Sequence, residues 1–226
     1  MTVWWRSPLY QLPCKSLAWK NRCFCNKIKG QPRRLISQFM RPLIEKNGGA
    51  TLDFLRTRIE GERIMLSPIS MEHAKDIFHE FTKDITRYMV PKPLDEITYA
   101  YKFIETSRKN MKAGFEAVFA ITEISSGEFI GICALHGNEA PETPELGIWV
   151  KKSAHGKKLG REAICCLTRW AKESLDILYF IYPVDRDNIP SRKIAESLGG
   201  VVLLVRVRES MSGAILNELV YKIEAH

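Results

Sequence analysis

The sequence predicts an α/β (α+β) fold in which helices flank a mixed, mostly antiparallel sheet. Apolar residues follow strand and helix periods in the order β, α, α, β, β, β, α, β, α, β, β. A helical pattern over 158–174 separates two strand patterns, and a right-handed crossover would make those two strands parallel. Short turns join the other strands as antiparallel hairpins. The parallel pair therefore belongs in the centre of the sheet.

The first elements of this pattern lie between residues 56 and 112. Residues 56–67 indicate two short strands around a glycine. Ser70 fits the N-cap of a helix, because the apolar residues after it fall on one helical face. A second helical piece runs to Met89 and is ended by prolines, which cannot continue a helix. A further helix is predicted over 95–112.

The middle of the chain indicates a hairpin and then a single strand. Residues 115–124 and 128–135 alternate and are separated by a Ser-Ser-Gly turn. A polar loop with prolines follows, and residues 145–150 (ELGIWV) then form the first strand of the parallel pair.

The last third of the chain completes the sheet. Helix 158–174 has one apolar face, and 177–184 is almost continuously apolar, which is typical of a strand at the centre of a sheet. Residues 188–198 indicate a short helix closed by two glycines. Segments 201–208 and 218–223 indicate a final hairpin.

The basic charge of the protein is concentrated in its first 50 residues. Ten basic residues and one acidic residue give this segment a net charge of +9, whereas 24 basic and 25 acidic residues give the remainder −1. We predict a basic, largely disordered extension over 1–50, with an amphipathic helix over 35–47, and a folded domain over 51–226. A solvated tail is the simpler interpretation of the charge; nucleic acid or an anionic surface is the alternative partner for this segment alone.

The cysteines and the hydropathy exclude several classes of protein. The six cysteines show neither a disulfide framework nor zinc-site spacing, so we expect no metal and a reducing, cytoplasmic environment. No apolar run reaches the ~18 residues that a membrane span requires. We therefore expect no transmembrane segment.

A basic turn with two glycines links the first parallel strand to the crossover helix. Gly156 and Gly160 permit close approach of a phosphate to the backbone, and a helix N-terminus follows directly. Lys157, Lys158 and Arg161 add positive charge. The turn matches neither GxxxxGK[ST] nor GxGxxG. A surface turn with solvated lysines is the alternative.

Four segments together resemble the GNAT superfamily of N-acetyltransferases. Residues 155–160 (HGKKLG) resemble its pyrophosphate loop, R/Q-x-x-G-x-G/A. Residues 145–150 resemble A-E-[IL]-G-[YI]-W of the branch that acetylates the N-termini of ribosomal proteins. Residues 188–199 (NIPSRKIAESLG) follow that branch's N-x-x-S-x-x-[VIL]-x-E-x-[LC]-G pattern, and 62–68 (ERIMLSP) resemble its first strand. His155 and Lys158 depart from the loop pattern, where the family has Arg or Gln and Gly.

The resemblance implies acetyl-CoA as co-substrate and two parallel strands that splay apart around it. Its pantetheine would pair with the strand that carries Ile148 and Val150, and the acceptor amine would enter from the other face. The residues implied in cofactor binding are Ile148, Val150, His155, Gly156, Lys157, Lys158, Leu159, Gly160, Arg161 and Asn188.

The resemblance also implies candidates for proton transfer. Glu145 matches the position of a water-linked general base, and its alternative is a surface carboxylate at a strand end. Ser191 matches a serine that protonates the departing thiolate, and Asn188 an asparagine that contacts pantetheine; both also fit helix capping. Glu209 lies near an acidic residue before the last hairpin. Tyr182 is interpreted as a core residue.

Three functions remain open at this point. The leading prediction is acetyl transfer to a protein N-terminal amine by direct attack. A polyamine, aminoglycoside or amino acid could be the acceptor instead. The altered loop, with His155 and Lys158, also leaves open a catalytically silent module that binds acetyl-CoA.

Overall fold

The computed structural model describes residues 42–46, 52–137 and 140–225, which form one eight-stranded sheet with helices on both faces. Neighbouring strands follow the order β1-β2-β3-β4-β5-β6-β8-β7, and β5 and β6 are the parallel pair. The predicted mixed, mostly antiparallel sheet is confirmed. The strands are β1 (Ile59–Glu60), β2 (Ile64–Pro68), β3 (Glu116–Glu123), β4 (Phe129–His136), β5 (Glu145–Val150), β6 (Tyr179–Asp185), β7 (Val201–Glu209) and β8 (Ile215–Glu224).

Helices cover the sheet on two sides. Trp170 of one helix contacts Phe119 of β3, with ring centroids 5.7 Å apart. On the opposite face Phe81 contacts Trp149 of β5 at 5.1 Å. The predicted second helical piece is a single turn in the structure. The helices are α1 (Ala74–Glu80), α2 (Lys83–Thr86), α3 (Ile97–Lys112), α4 (Leu159–Ser174) and α5 (Ile189–Ser197), with α4 on the first face and α1 and α3 on the second. None of the helices within the described ranges is long and apolar enough to cross a membrane.

Strands β5 and β6 pair only where they begin. Their single register pair is Glu145 with Ile181, and the Ile181 N–H donates to the Pro144 carbonyl at 3.0 Å. Beyond this point the two strands separate, although β6 stays paired with β8 along its whole length. The predicted splayed pair is confirmed, and it opens a cleft inside the sheet.

A proline marks the place where the two strands part. Backbone groups alternate along a strand, so Pro183, two residues after Ile181, turns its nitrogen toward β5. Proline has no N–H to donate, which normally excludes it from a central strand. It is tolerated here because β5 has already diverged and no ladder bond is lost.

Residues 42–46 pack against the folded domain, and residues 42–45 are not helical. Leu43 is buried in the core and its N–H donates to the Gly114 carbonyl at 2.8 Å, while Glu45 bridges to Leu175. The predicted helix over 35–47 is therefore not found at residues 42–45, and Pro42 disfavours a helix that continues through its own position. Residues 35–41 and 47 lie outside the described residues.

The outer strand of the sheet is unusually apolar and exposed. Strand β7 pairs with β8 on one side only, and none of its residues is buried. Aliphatic side chains on both of its faces are about half exposed or more, for example Val201 at 62% and Val207 at 65%. This half of the sheet lacks the helix cover that buries β3 and β4.

Candidate active site

The space between the diverging strands forms an open cleft. Its walls come from β5, β6 and the start of α5, and its rim from the loop between α2 and α3. The N–H of Met211, in the β7–β8 turn, donates to the Val90 carbonyl of that loop at 2.7 Å, which joins the two sides of the rim. The predicted site residues that line the cleft are Glu145, Ile148, Asn188 and Ser191.

The wall formed by β5 presents main-chain groups. Lys151 donates its N–H to Ile130 of β4, so alternation turns the backbone groups of Ile148 and Val150 toward the gap left by β6. One of these groups already has a partner, because His155 donates from Nε2 to the Val150 carbonyl at 2.8 Å. An extended chain in the cleft could therefore pair with Ile148 and with the Val150 N–H.

The basic turn delivers further main-chain donors at the beginning of α4. The first bond within this helix runs from the Glu162 N–H to the Lys158 carbonyl at 3.1 Å. The N–H groups of Leu159, Gly160 and Arg161 consequently point out of the helix N-terminus, where the helix dipole favours an anion.

Two positions of the turn adopt the left-handed conformation. Gly156 has φ = +78° and open space where a Cβ would lie. Lys158, the N-cap of α4, has φ = 64°, the sole positive φ of a non-glycine residue in the described ranges. This conformation costs an ordinary L-residue about 1–2 kcal/mol. It explains physically why the family pattern has glycine where this chain has Lys158.

The absence of a side chain at Gly160 serves close packing, because the position of its Cβ faces strand β5 and not the anion site. A Cβ on this residue would lie 3.1 Å from Val150 Cγ2 and 3.5 Å from Ile148 Cδ1. The glycine thus lets α4 approach the edge strand of the cleft. This contact keeps the helix N-terminus and the free edge of β5 in a fixed relation.

A residue that the sequence analysis did not single out holds the turn in place. Arg63, between β1 and β2, pairs with Glu162 at 2.8 Å and donates from Nη1 to the Lys157 carbonyl at 3.1 Å. It also neutralises a carboxylate in the first turn of α4, which would otherwise repel an anion. Lys157, Lys158 and Arg161 remain exposed around the turn.

Glu145 stands at the closed end of the cleft, where β5 and β6 still touch. Its side chain is 16% exposed, and burial is the main cause that raises the pKa of its carboxyl above the ordinary value. Positive charge from His136, Arg206 and Arg208 opposes this rise without cancelling it. A carboxylate with a raised pKa is suited to accept a proton near neutral pH.

The wall opposite β5 carries a charged cluster that sequence reasoning missed. Arg206 donates from Nε to Glu218, and its Nη2 lies 4.0 Å from Glu145 Oε2. Arg208 Nη1 lies 3.9 Å from Glu218, and burial lowers the pKa of this guanidinium. The alternation of Val and Arg in β7 could have indicated this cluster, because it places both arginines on one face.

A second pair of polar groups faces the cleft from β6 and α5. Ser191 Oγ lies 2.8 Å from the Tyr182 hydroxyl, which is buried, and this burial raises the pKa of Tyr182 to about 12. The phenol is therefore protonated at neutral pH and able to donate. Asn188 is the N-cap of α5 and accepts from the Ser191 N–H at 3.3 Å. Tyr182, predicted as a core residue, is both buried and part of the cleft wall.

Glu209 is not brought to this site. It is the last residue of β7, is exposed, and is absent from the cleft lining, whereas its neighbour Arg208 is present there. Among the described residues no group of three or more His, Cys, Asp or Glu side chains is arranged to hold a metal ion.

These features define an acyltransferase of the type that places an extended thioester between splayed strands. Residues 63–201 match the family model of the acetyltransferase (GNAT) domain, which is more than half of the chain. The chain belongs to the GNAT acetyltransferase family. It is an N-acetyltransferase and acetyl-CoA is its co-substrate. A search of curated protein sequences gave no significant match.

Solved structures with the same fold include enzymes from several bacteria. RimJ of Mycobacterium smegmatis, in complex with CoA-disulfide, has a TM-score of 0.68 and 19% identity, over 76% of this chain and 89% of that one. An acetyltransferase of Salmonella typhimurium that modifies the N-terminal serine of ribosomal protein L7/L12 has a TM-score of 0.66 and 13% identity, covering 74% and 99%. The microcin C7 self-immunity acetyltransferase MccE, in complex with acetyl-CoA and AMP, has a TM-score of 0.65 and 19% identity, covering 72% and 93%.

Proposed function

We propose that this protein acetylates the N-terminal amine of a polypeptide, with acetyl-CoA bound along β5 and the amine delivered to Glu145. The observation that carries the proposal is the cleft between β5 and β6, where free main-chain groups and a raised-pKa carboxylate face the same space. Support for a polypeptide acceptor comes from the Salmonella enzyme of the same fold, which modifies an N-terminal serine.

The residues present fit acetyl-CoA. Ile148 and the Val150 N–H offer an open strand edge for pantetheine, and Asn188 faces the same cleft. The N–H groups of Leu159, Gly160 and Arg161 offer donors for the pyrophosphate, with open space beside Gly156. Lys157, Lys158 and Arg161 supply exposed positive charge. His155 contributes indirectly by binding the Val150 carbonyl.

Acetyl-CoA supplies the thioester whose carbonyl carbon the acceptor amine attacks. Glu145 takes a proton from the incoming ammonium, since only the neutral amine is a nucleophile. Attack leaves one more proton on the nitrogen, which is released as the tetrahedral intermediate collapses to the amide. Ser191, hydrogen-bonded to Tyr182, is placed to protonate the leaving thiolate, and the proton released by the nitrogen restores the hydroxyl pair by way of water. Glu209 has no part in this scheme, because it lies outside the cleft.

The acceptor can be identified with matched peptides. The purified protein is incubated with acetyl-CoA and peptides that begin with a free serine or alanine, the same peptides with a formylated N-terminus and an internal lysine, a polyamine, and an aminoglycoside. We expect CoA release and a mass gain of one acetyl group for the free N-termini alone. Transfer only to a small molecule would overturn the polypeptide acceptor. CoA binding without transfer to any amine would indicate a silent module.

A further inference from the structure

A row of three ionisable side chains crosses the sheet and ends at the cleft. Glu116 of β3 is the register partner of His136 of β4, and His136 is the register partner of Glu145 of β5. Side chains of directly opposed residues lie on the same face of a sheet, with Cβ atoms about 4.5–5.5 Å apart. The three groups therefore stand side by side on the face that α1 and α3 cover.

Glu116 and His136, the two members of this row that lie farther from the cleft, form a buried pair. His136 Nδ1 lies 2.9 Å from Glu116 Oε2, and both residues are buried, with exposures of 5% and 7%. Asn110 of α3 donates to the other oxygen of Glu116 at 3.2 Å. Glu116 thus has a partner at both oxygens, and its contact with Nδ1 orients the imidazole of His136.

We infer that His136, anchored by Glu116, is a positioning residue that stabilises the ionised form of Glu145. The inference rests on the proposed function, in which Glu145 accepts the proton of the amine. Other charges also face Glu145, namely Arg206 and Arg208 from β7 and Glu218 from β8. Of the favourable charges, His136 acts most strongly, ahead of both arginines, of which Arg206 is shared with Glu218.

The sign of the effect follows from this arrangement. A cationic His136 favours the carboxylate of Glu145, so its removal should raise the pKa of Glu145. Removal of Glu116 should act in the same direction, since His136 then loses the partner that stabilises its cation. In both variants the acidic limb of the kcat/KM–pH profile should move to higher pH, by at least about 0.5 pH unit or a threefold loss of rate below the limb.

The first test compares pH–rate profiles of His136→Gln and Glu116→Gln with Thr168→Val as control. Thr168 is a buried polar residue of α4 that bonds only within its own helix, so its loss perturbs the core without changing charge. We expect the limb to shift in the first two variants and to stay in place in the third. A uniform loss of rate with an unmoved limb would show a purely structural role and overturn the inference.

The second test needs no change at His136 and no acetyl transfer. The imidazole of His136 is titrated by NMR in the wild-type protein and in Glu145→Gln, after assignment by triple-resonance spectra. Coupled sites influence each other equally, so loss of the Glu145 charge should lower the pKa of His136 by about the same 0.5 unit or more. An unchanged titration would overturn the inference even if the enzyme is active. A shifted titration in a protein that transfers no acetyl group would contradict the proposed function and leave the coupling intact.

Discussion

The two walls of the cleft present different kinds of chemical group. The wall of β5 and α4 offers main-chain donors, held close by Gly160 and by the contact of Arg63 with the basic turn. The wall of β6, β8 and β7 offers side chains, with the Tyr182–Ser191 pair and the cluster of Arg206, Arg208 and Glu218. The first wall is covered by α4, whereas the second ends in the exposed strand β7.

This difference separates two tasks. Main-chain groups on rigid elements do not titrate, so the β5–α4 wall can hold a pantetheine chain and a pyrophosphate equally at any moderate pH. In the proposed function, side chains on the other wall and Glu145 between the two walls accept and donate the protons of the reaction. Changes on the first wall should therefore alter binding and stability, and changes at the side chains should alter turnover and its pH dependence.

The largest effect is expected at Glu145, where the two walls meet. Glu145→Gln removes the proton acceptor and should lower kcat by about 10²–10⁴-fold, while the Kd for CoA from calorimetry stays within a factor of about two. Glu209→Gln is the matched control, because this carboxylate lies outside the cleft. Equal losses in both variants would refute the assignment of Glu145.

A smaller loss of turnover is expected from the hydroxyl pair. Tyr182→Phe and Ser191→Ala should each reduce kcat by about tenfold, since the remaining hydroxyl or a water can still protonate the thiolate. The double variant should lose less than the product of the two single effects, because the two groups act as one unit. Strictly multiplicative losses in steady-state assays would show that the hydroxyls act independently.

On the wall of β5 and α4, a substitution at Gly160 should act on binding. A valine there would press on Val150 and Ile148, move the start of α4, and destabilise the fold by about 1–3 kcal/mol. The Kd for CoA should rise about tenfold, a loss of about 1.4 kcal/mol. Gly160→Ala should fall between wild type and valine, and a CoA affinity unchanged in both variants would remove α4 from the cofactor site.

The raised pKa of Glu145 predicts a conflict between activity and stability. The pKa of Glu145 is higher in the fold than in the unfolded chain, so the fold favours the protonated acid. The stability that this preference contributes at low pH is lost as the pH rises through the folded pKa. Glu145→Gln avoids that loss. Its Tm should therefore gain on that of the wild type as the pH rises above the ordinary glutamate pKa of about 4.3. A difference in Tm that does not change with pH would argue against burial of the ionised carboxyl.

The smallest predicted effect concerns the left-handed Lys158. Lys158→Gly should stabilise the protein by about 0.5–1 kcal/mol, since relief of the left-handed conformation exceeds the entropy cost of glycine. Lys158→Ala removes the same charge and keeps the strain, so it should show no gain in urea unfolding. Equal stability of the glycine and alanine variants would show that the backbone at this position is unstrained.

The difference between the two walls also explains which parts of the site could be predicted from the sequence. Periodicity, turn residues and glycine spacing report on the backbone, so the sheet, α4 and the basic turn of the first wall were visible in advance. The alternation in β7 places Arg206 and Arg208 on one face, but their position opposite Glu218 depends on the register of the β7–β8 hairpin, which the sequence analysis did not derive. The helix predicted over 35–47 is not found at residues 42–45, where the apolar face was weighted above the local effect of Pro42.

The roles of single site residues were less accessible. Asn188 caps a helix and lines the cleft at once, and no pattern distinguishes these functions. Ser191 also fits a cap by its position, but its hydroxyl bonds Tyr182 instead. Tyr182 lies in an apolar strand that indicates a core position, and its hydroxyl becomes relevant only through a residue nine positions later. Glu116, His136 and Glu145 form a row only because β3, β4 and β5 pair in a particular register. The sequence analysis did not derive that register.

The proline at the fork of the sheet has a consequence for solvent access. Because β6 has diverged from β5 at Pro183, the N–H groups of Ile148 and Val150 face the cleft, whereas their neighbours along β5 bond to β4. We therefore expect these two amide protons to exchange readily with water. In heavy water, deuterium should replace these two amide protons early, and a ligand bound in the cleft should slow this exchange. Two residues in the middle of a sheet thereby become reporters of occupancy.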